Sequence, residues 1–357
     1  MTSPRAEIPG VADAASSYDA SKDAVVTAPV VVDWNVGAPI RRALDRDPFE
    51  GFVAVTSPGS DAGTVKRHVL LVPERGNRTS RSTRVPVASF TKLWTAVATF
   101  RLVERGSLGL DDTVRDRIPE LASRPWSTAT LRELMTHTSA MPEFDEASGY
   151  FGDASVDPRD PVKAITLRVP SRRTEARGVF KYKNSEYALV GAMVSRAAGM
   201  PAHEALRTLV FGPAGMKDSG LLGTDAVAVD TSSLGHVRAA NFFAAGAGYS
   251  TADDFLAFFE ALSGSTLLGA ESKTTLFDGS KARGWGAYGC WAMPFARDAG
   301  TATLVERQGA LGTAKIFSAF FPESGEAVVA WTRRDVDFGH PYQGRGLGHR
   351  LTSVLGP

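Results

Sequence analysis

The sequence predicts an α+β fold: a strand-bearing lobe assembled from both ends of the chain, with a mainly helical lobe inserted between them. Three observations carry this. Near the start, FEGFVAVTS and HVLLVPE are short apolar runs separated by the turn-rich SPGSDAGT, which reads as a hairpin. Near the end, WGAYGCWAMPF, TATLVERQ, AKIFSAFFP and EAVVAWTRR are four further strand-like runs divided by turns. Between these groups, apolar residues recur at helical spacing, so strands at the ends enclose helices in the middle. The expected boundaries are a loose arm over 1–30, an α/β lobe from 31–88 and 231–357, and a helical lobe over 89–230, with the active site between the lobes.

Taken in order, residues 1–30 are rich in Ala, Ser and Asp without periodicity, and a helix is expected from Trp34 to Leu44. After the hairpin, RGNRTSRSTRVPV is polar and extended and leads to Ser89. SFTKLWTAVATFRLVERG then carries helical spacing and stops at Gly106. SLGLDDTVRDRIPEL is a turn and short helix, and TLRELMTHTSAM opens another helix that Thr128 or Thr130 caps. Residues 142–181 read as a long loop, rich in Asp, Gly, Pro and Arg. EYALVGAMVSRAAG is a helix ending at Gly199, and AHEALRTLVFGPAG is a second. AAGAGYSTADDFLAFFEAL holds an amphipathic helix capped by Ser250 or Thr251, and GRGLGHRLTSVL closes the chain as a helix.

Composition narrows the function. Forty Lys and Arg against thirty-nine Asp and Glu leave a net charge of +1, so no overall field directs the chain to nucleic acid or an acidic membrane. The opening MTSPRAEIPGVADAASSYDA lacks a basic start followed by an apolar run, and no stretch reaches the roughly 18 apolar residues of a membrane span. The expectation is a cytoplasmic protein. Cys290 is the single cysteine; it excludes internal disulfides and cysteine zinc sites, and reads as a small buried apolar residue. The six histidines are scattered, and no His-Glu-x-x-His, Walker lysine loop or Gly-x-Ser-x-Gly is present, so no metal and no cofactor are expected. GWGAYG fits Gly-x-Gly-x-x-Gly, but no apolar strand leads into it and no helix follows, which removes the dinucleotide reading.

The chemistry is carried by VASFTKLWTAV, residues 87–97. Residues three apart share a helix face, so Lys92 can bring its amine to the Ser89 hydroxyl one turn earlier. At a helix N-terminus the exposed N–H groups and dipole favour developing negative charge. A lysine buried there loses hydration, its pKa falls, and it becomes a usable base for a serine nucleophile. On the pattern alone, a helix cap with a surface lysine is the more ordinary account. In FKYKNSEYALVG, Tyr182 and Asn184 alternate in an extended segment and project to one side. Tyrosine beside a cation can relay protons, and asparagine can hold both the lysine amine and a substrate carbonyl.

With Ser89-Phe90-Thr91-Lys92 as Ser-x-x-Lys and Tyr182-Lys183-Asn184 as Tyr-x-Asn, residues 33–356 resemble the serine β-lactamase and penicillin-binding-protein superfamily, in its class C β-lactamase, D,D-peptidase and esterase branch. LVERGSLGLDDTV, LRELMTHTSAMPE, FGPAGMKDSG and GAGYSTADDFLAF also look like that branch, in the same order. The resemblance implies a β-lactamase/transpeptidase-like fold, an antiparallel sheet flanked by helices from both termini. It also implies an active site with Ser89, Lys92 and Tyr182 catalytic and Asn184 on the substrate. The family's third motif, Lys or His, a small residue and Gly, has its counterpart in Arg307-Gln308-Gly309 of VERQGALG. Gly309 would let substrate approach the strand, and the N–H of Ala310 would join that of Ser89 as the oxyanion hole. Arg307 is a departure: it either supports an ionised Tyr182 or grips a substrate carboxylate, with a solvent-facing salt bridge as the alternative. Lys183 replaces a small residue and is expected to point away from the pocket. Ala140 stands where His-Thr-Ser-Gly is usual, and His137 reads as structural.

The expected activity is an intracellular serine acyl-enzyme hydrolase or acyltransferase, with a transacylase or amide synthase of a biosynthetic pathway as the alternative, followed by a D,D-peptidase or β-lactamase and last by a catalytically silent binding protein on the same fold. Its partners would be a small-molecule or peptide acyl donor, as ester, thioester or amide, and an amine or alcohol acceptor if the acyl group is transferred.

Overall fold

The computed structural model describes residues 30–31, 36–61, 64–72, 79–145, 149–172, 175–298 and 300–356. The arm read over 1–30 lies outside them except for residue 30, as does Trp34 of the first helix. The strands are β1 (Val30–Val31), β2 (Gly51–Pro58), β3 (Val65–Val72), β4 (Val85–Pro86), β5 (Gly220–Leu221), β6 (Gly248–Ser250), β7 (Trp291–Arg297), β8 (Gly300–Leu311), β9 (Ala314–Phe321) and β10 (Glu326–Thr332). The helices are α1 (Gly37–Leu44), α2 (Thr91–Glu104), α3 (Val114–Arg117), α4 (Leu131–Met135), α5 (Pro161–Arg168), α6 (Asn184–Ala198), α7 (Ala202–Leu206), α8 (Ala252–Ser263), α9 (Ala270–Leu276) and α10 (Gly346–Thr352).

Strands from both ends of the chain share one sheet, in the order β1-β3-β2-β10-β9-β8-β7. All its neighbours are antiparallel except β1 and β3. The junction is β2 with β10, Gly51 facing Thr332 and Thr56 facing Ala327. It needs glycine at 51, because a Cβ there would lie 1.9 Å from the Trp331 carbonyl oxygen. Both sheet faces are covered, so the central strands are apolar throughout rather than alternating. Phe52, Ala54 and Trp331 face α2 and α8, in a cluster with Phe90, Trp94, Phe255, Phe258 and Phe259. Val53, Val55, Phe317 and Val328 turn to the other face, against Ile40 of α1 and Leu351 of α10. β4, β6 and β5 form a separate small sheet.

Helix α2 is buried along nearly its whole length, from Thr91 to Leu102, so its threonines must find partners inside. Thr95 donates to the carbonyls of Thr91 and Ala244, and Thr99 to that of Thr95. Thr130 caps α4 in a reciprocal box with Glu133. Thr251 caps α8, while Ser250 sits in β6 with its hydroxyl on Ser219. Helix α6 ends at Gly199 in the left-handed region, φ +67°.

Two expectations are corrected. The stretch 142–181 is not all loop: it contains α5, started by Pro161 and capped by Asp160. In WGAYGCWAMPF only the end, from Trp291 on, is strand, as the start of β7. The preceding residues turn tightly, because Gly289 packs where a Cβ would lie 2.6 Å from the Lys92 carbonyl oxygen. Helix α9 adds an element that the sequence pattern does not mark, since it buries only Leu276. Cys290 is buried and free, as expected, with burial pushing its thiol up to about 12.

Candidate active site

The chain reaches Ser89 through Ala88, which is buried with φ +48°. A residue with a Cβ is held there only by the surrounding packing, and such strain clusters at functional sites. Residues 88–90 form a single 3-10 turn that runs directly into α2. One turn on, Lys92 is fully buried, and its amine makes three hydrogen bonds: to Ser89 Oγ at 3.1 Å, Asn184 Oδ1 at 2.8 Å and the Ala245 carbonyl at 2.8 Å. Three acceptors match the three N–H bonds of an ammonium group. Burial, reinforced by the Arg307 charge, nevertheless brings the Lys92 amine down to about 8.

Tyr182 donates its hydroxyl to Ser89 Oγ at 2.8 Å, and its ring lies 4.7 Å from the Lys92 amine. Burial works to raise the phenol, but the charges of Arg307 and Lys92 outweigh it and bring Tyr182 to about 8. Asn184, the first residue of α6, is fixed by Glu143, whose carboxylate accepts from the N–H groups of Asn184 at 2.5 Å and Ser185 at 2.9 Å. A carboxylate on the leading N–H groups is the favourable end of the helix dipole.

Arg307 is 1% exposed, which removes the solvent-facing alternative. Its Nε donates to the Ser89 carbonyl and its Nη2 to the Tyr182 hydroxyl, each at 2.7 Å. The guanidinium therefore addresses Tyr182 rather than the open cleft. Gly309 lines the cleft and makes a further contact that the sequence does not show. A Cβ there would lie 2.8 Å from both Ser89 N and the Val87 carbonyl oxygen, so glycine lets β8 close against the serine turn itself. The two-residue turn between Leu311 and Ala314 sets the register of β8 on β9. Ladder bonds alternate, so the backbone groups of Ala310 face away from β9, on the side where β7 no longer pairs.

The structure thus brings Ser89, Lys92, Tyr182, Asn184, Arg307 and Gly309 together, with Ala310 on the same cleft wall. Lys183 points away as read from the sequence: its buried amine bonds the Met141 carbonyl at 2.5 Å and pairs with Glu175. The cleft measures about 560 Å³ and is lined on its apolar side by Phe151, Phe242, Leu311 and Phe338. A second cavity of about 620 Å³ lies beyond α6, against Ala188, Gly191, Leu221 and Phe243, and contains none of these groups. Glu143 escapes sequence reading, since its contact spans about 40 residues. A preorganised hydroxyl beside an amine and a phenol, with backbone N–H groups nearby, is suited to nucleophilic acyl chemistry. Among the described residues no His, Cys, Asp and Glu cluster could hold a metal, and no helix is long and apolar enough to cross a membrane.

A family model described as Beta-lactamase matches residues 62–346. The putative penicillin-binding protein PbpX of Bacillus subtilis is 31% identical over 138 residues, 39% of this chain and 33% of the relative. Esterase EstB of Burkholderia gladioli is 29% identical over 196 residues, 52% of this chain and 50% of the relative. The matches thus span a third to a half of these curated relatives. Among solved structures, a D-amino acid amidase from Ochrobactrum anthropi SV3 superposes with a TM-score of 0.70 at 19% identity, covering 90% of this chain and 97% of that one. A penicillin-binding protein from Bacillus halodurans gives 0.67 at 22%, covering 88% and 98%. At these identities the structures establish the β-lactamase/transpeptidase-like fold.

Proposed function

The chain belongs to the Beta-lactamase family, and on that premise we propose that it is a serine acyl-enzyme hydrolase or acyltransferase acting on an ester, thioester or amide with an apolar, uncharged acyl group. The observation that carries the reading is Ser89 Oγ held 2.8 Å from the Tyr182 hydroxyl and 3.1 Å from the Lys92 amine. Ser89 Oγ attacks the carbonyl while its proton passes to the Tyr182 oxygen, whose ionised form Lys92 and Arg307 stabilise. The oxyanion is held by the N–H groups of Ser89 and Ala310. The C–O, C–S or C–N bond breaks as Tyr182 returns the proton to the leaving group, leaving Ser89 acylated. Water, an amine or an alcohol then repeats the sequence in reverse.

The acyl class follows from the charges. Arg307 is buried and engaged with Ser89 and Tyr182, so it is not offered to a substrate carboxylate. Lys315, at the cleft wall, is paired with Asp335 at 2.9 Å. Asp337 and Gln308 also line the cleft, so an anionic acyl group would meet a carboxylate and, among the described residues, no free cation, while Phe151, Phe242, Leu311 and Phe338 favour an apolar one. Intact-mass spectrometry with p-nitrophenyl acyl esters, a succinyl monoester and a β-lactam tests this. The reading expects an acyl adduct from the neutral esters that is absent in Ser89→Ala. Equal or faster acylation by the two carboxylate-bearing donors would overturn the substrate class, and no adduct from any donor would overturn the nucleophile. Added amine that raises product formation at unchanged hydrolysis marks transfer.

A further inference from the structure

Behind Tyr182 lies a buried pair that the acyl chemistry does not use. Glu186 on α6 is wholly buried, with one carboxyl oxygen on the Ser139 hydroxyl and Oε2 2.5 Å from His137 Nδ1. The His137 ring, 5% exposed, packs 4.6 Å from the Tyr182 ring. The Lys183 N–H also points at His137 Nδ1, at 3.3 Å. A ring nitrogen that accepts a backbone N–H carries a lone pair and no proton. A protonated Nδ1 would face that N–H donor against donor, so the geometry favours the proton of the 2.5 Å contact on the carboxyl group.

We propose that Glu186 is a neutral acid and a positioning residue: its Oε2–H donates to His137 Nδ1, fixes the ring as the uncharged Nε2–H tautomer, and so braces the segment that carries Tyr182. That segment hangs on the same turn. Lys181 N–H donates to the His137 carbonyl and Gly178 N–H to that of Thr138, both at 2.8 Å. His137 and Ala140 hold the turn at φ +57° and +62°, where residues with a Cβ stay only under constraint.

The charged groups facing the pair agree with neutrality. Lys92 on α2, Arg307 on β8 and Lys183 before α6 all oppose a cationic ring, and burial first and then these charges hold His137 well below its ordinary value. Burial raises Glu186 well above the carboxylate range; Glu143 adds to this, while Ser139 and Lys183 oppose it. With both partners uncharged, neither sets a charge beside Tyr182, whose ionisation is left to burial on one side and to Arg307, Lys92 and the Ser89 hydrogen bond on the other. An ionised Glu186 would raise the Tyr182 pKa instead.

The inference rests on the role given to Tyr182 above, but its first test does not depend on activity. In 15N-histidine-labelled protein between about pH 6 and 9, with His137→Gln for assignment, His137 is expected to show the neutral Nε2–H shifts throughout. Imidazolium or Nδ1–H shifts would overturn it, whether or not Ser89 acylates. Glu186→Leu is expected to lower kcat about tenfold with KM held and to move the pH profile, whereas the conservative Glu186→Gln, whose amide N–H still donates to Nδ1, restores both. A Glu186→Gln profile displaced like that of Glu186→Leu, or a folded Glu186→Leu with unchanged kcat and profile, would refute the proposal.

Discussion

Arg307 Nη2 donates to the Tyr182 hydroxyl at 2.7 Å, so a buried guanidinium sits directly on the group proposed to accept the serine proton. The base form of Tyr182 is the ionised one, and Arg307 is the largest influence lowering its pKa to about 8. Arg307→Met removes that cation, the Tyr182 pKa rises, and the rising limb of kcat/KM moves to higher pH. For every pH unit the limb moves, activity at neutral pH falls about tenfold. The same variant also relieves Lys92 of a like charge, which raises its pKa in the same direction. A pH profile with a neutral ester measures the displacement; a limb that stays near 8 would place the proton acceptor elsewhere.

Gly309→Ala should impair the chemical step and spare binding. The added Cβ would fall 2.8 Å from Ser89 N, which forces β8 away from the serine turn and spoils the pair of N–H groups proposed to meet the oxyanion. Loss of one such donor costs about 3 kcal/mol, or about a hundredfold in kcat. Steady-state kinetics should therefore show kcat reduced with KM little altered. A rise in KM alone would show that the strand serves binding only.

Much of this site is legible in the sequence because its parts are local. Ser89 and Lys92 are one helical turn apart, Tyr182 and Asn184 two residues apart, and Gly309 sits at a fixed offset from Arg307. The direction of Arg307 is not legible, since strand alternation alone does not say which face of β8 it takes, and only the packing of β8 against Ser89 selects one. Glu186 and His137 meet across 49 residues, and no periodicity signals such a contact. Helix α5 escapes because PVKAITLR buries only Ala164 and Ile165, too few to mark a face among the surrounding Asp and Pro residues. The sheet strands at the two ends of the chain are legible for the opposite reason: covered on both faces, they carry apolar runs such as FVAV in β2 and AVVAW in β10.

Truncating Phe242 should change which acyl groups are accepted. Its ring stacks on Phe151 with centroids 4.2 Å apart, and both line the cleft. Phe242→Ala opens that wall, so longer or branched acyl esters gain relative to short ones by about 1–3 kcal/mol in kcat/KM. The ratio of octanoate to acetate ester turnover reads this directly, with a melting curve to confirm the fold. An unchanged ratio would place the acyl group on the Leu311 and Phe338 side.

Asn184→Asp tests how the Lys92 charge is set, because it alters one atom type without changing size. The Asn184 amide oxygen accepts from the Lys92 amine at 2.8 Å, and a carboxylate oxygen there would favour the charged amine. The Lys92 pKa therefore rises from about 8 toward its ordinary 10.5. The Lys92 and Tyr182 pair loses its proton later as pH rises, the kcat/KM limb moves to higher pH, and activity at pH 7 falls about tenfold or more. Asn184→Ala supplies the control: it removes the acceptor without adding charge, so it lowers activity while leaving the limb where it was. If the two variants share one pH profile, the Asn184 oxygen only orients Lys92 and has no part in its ionisation.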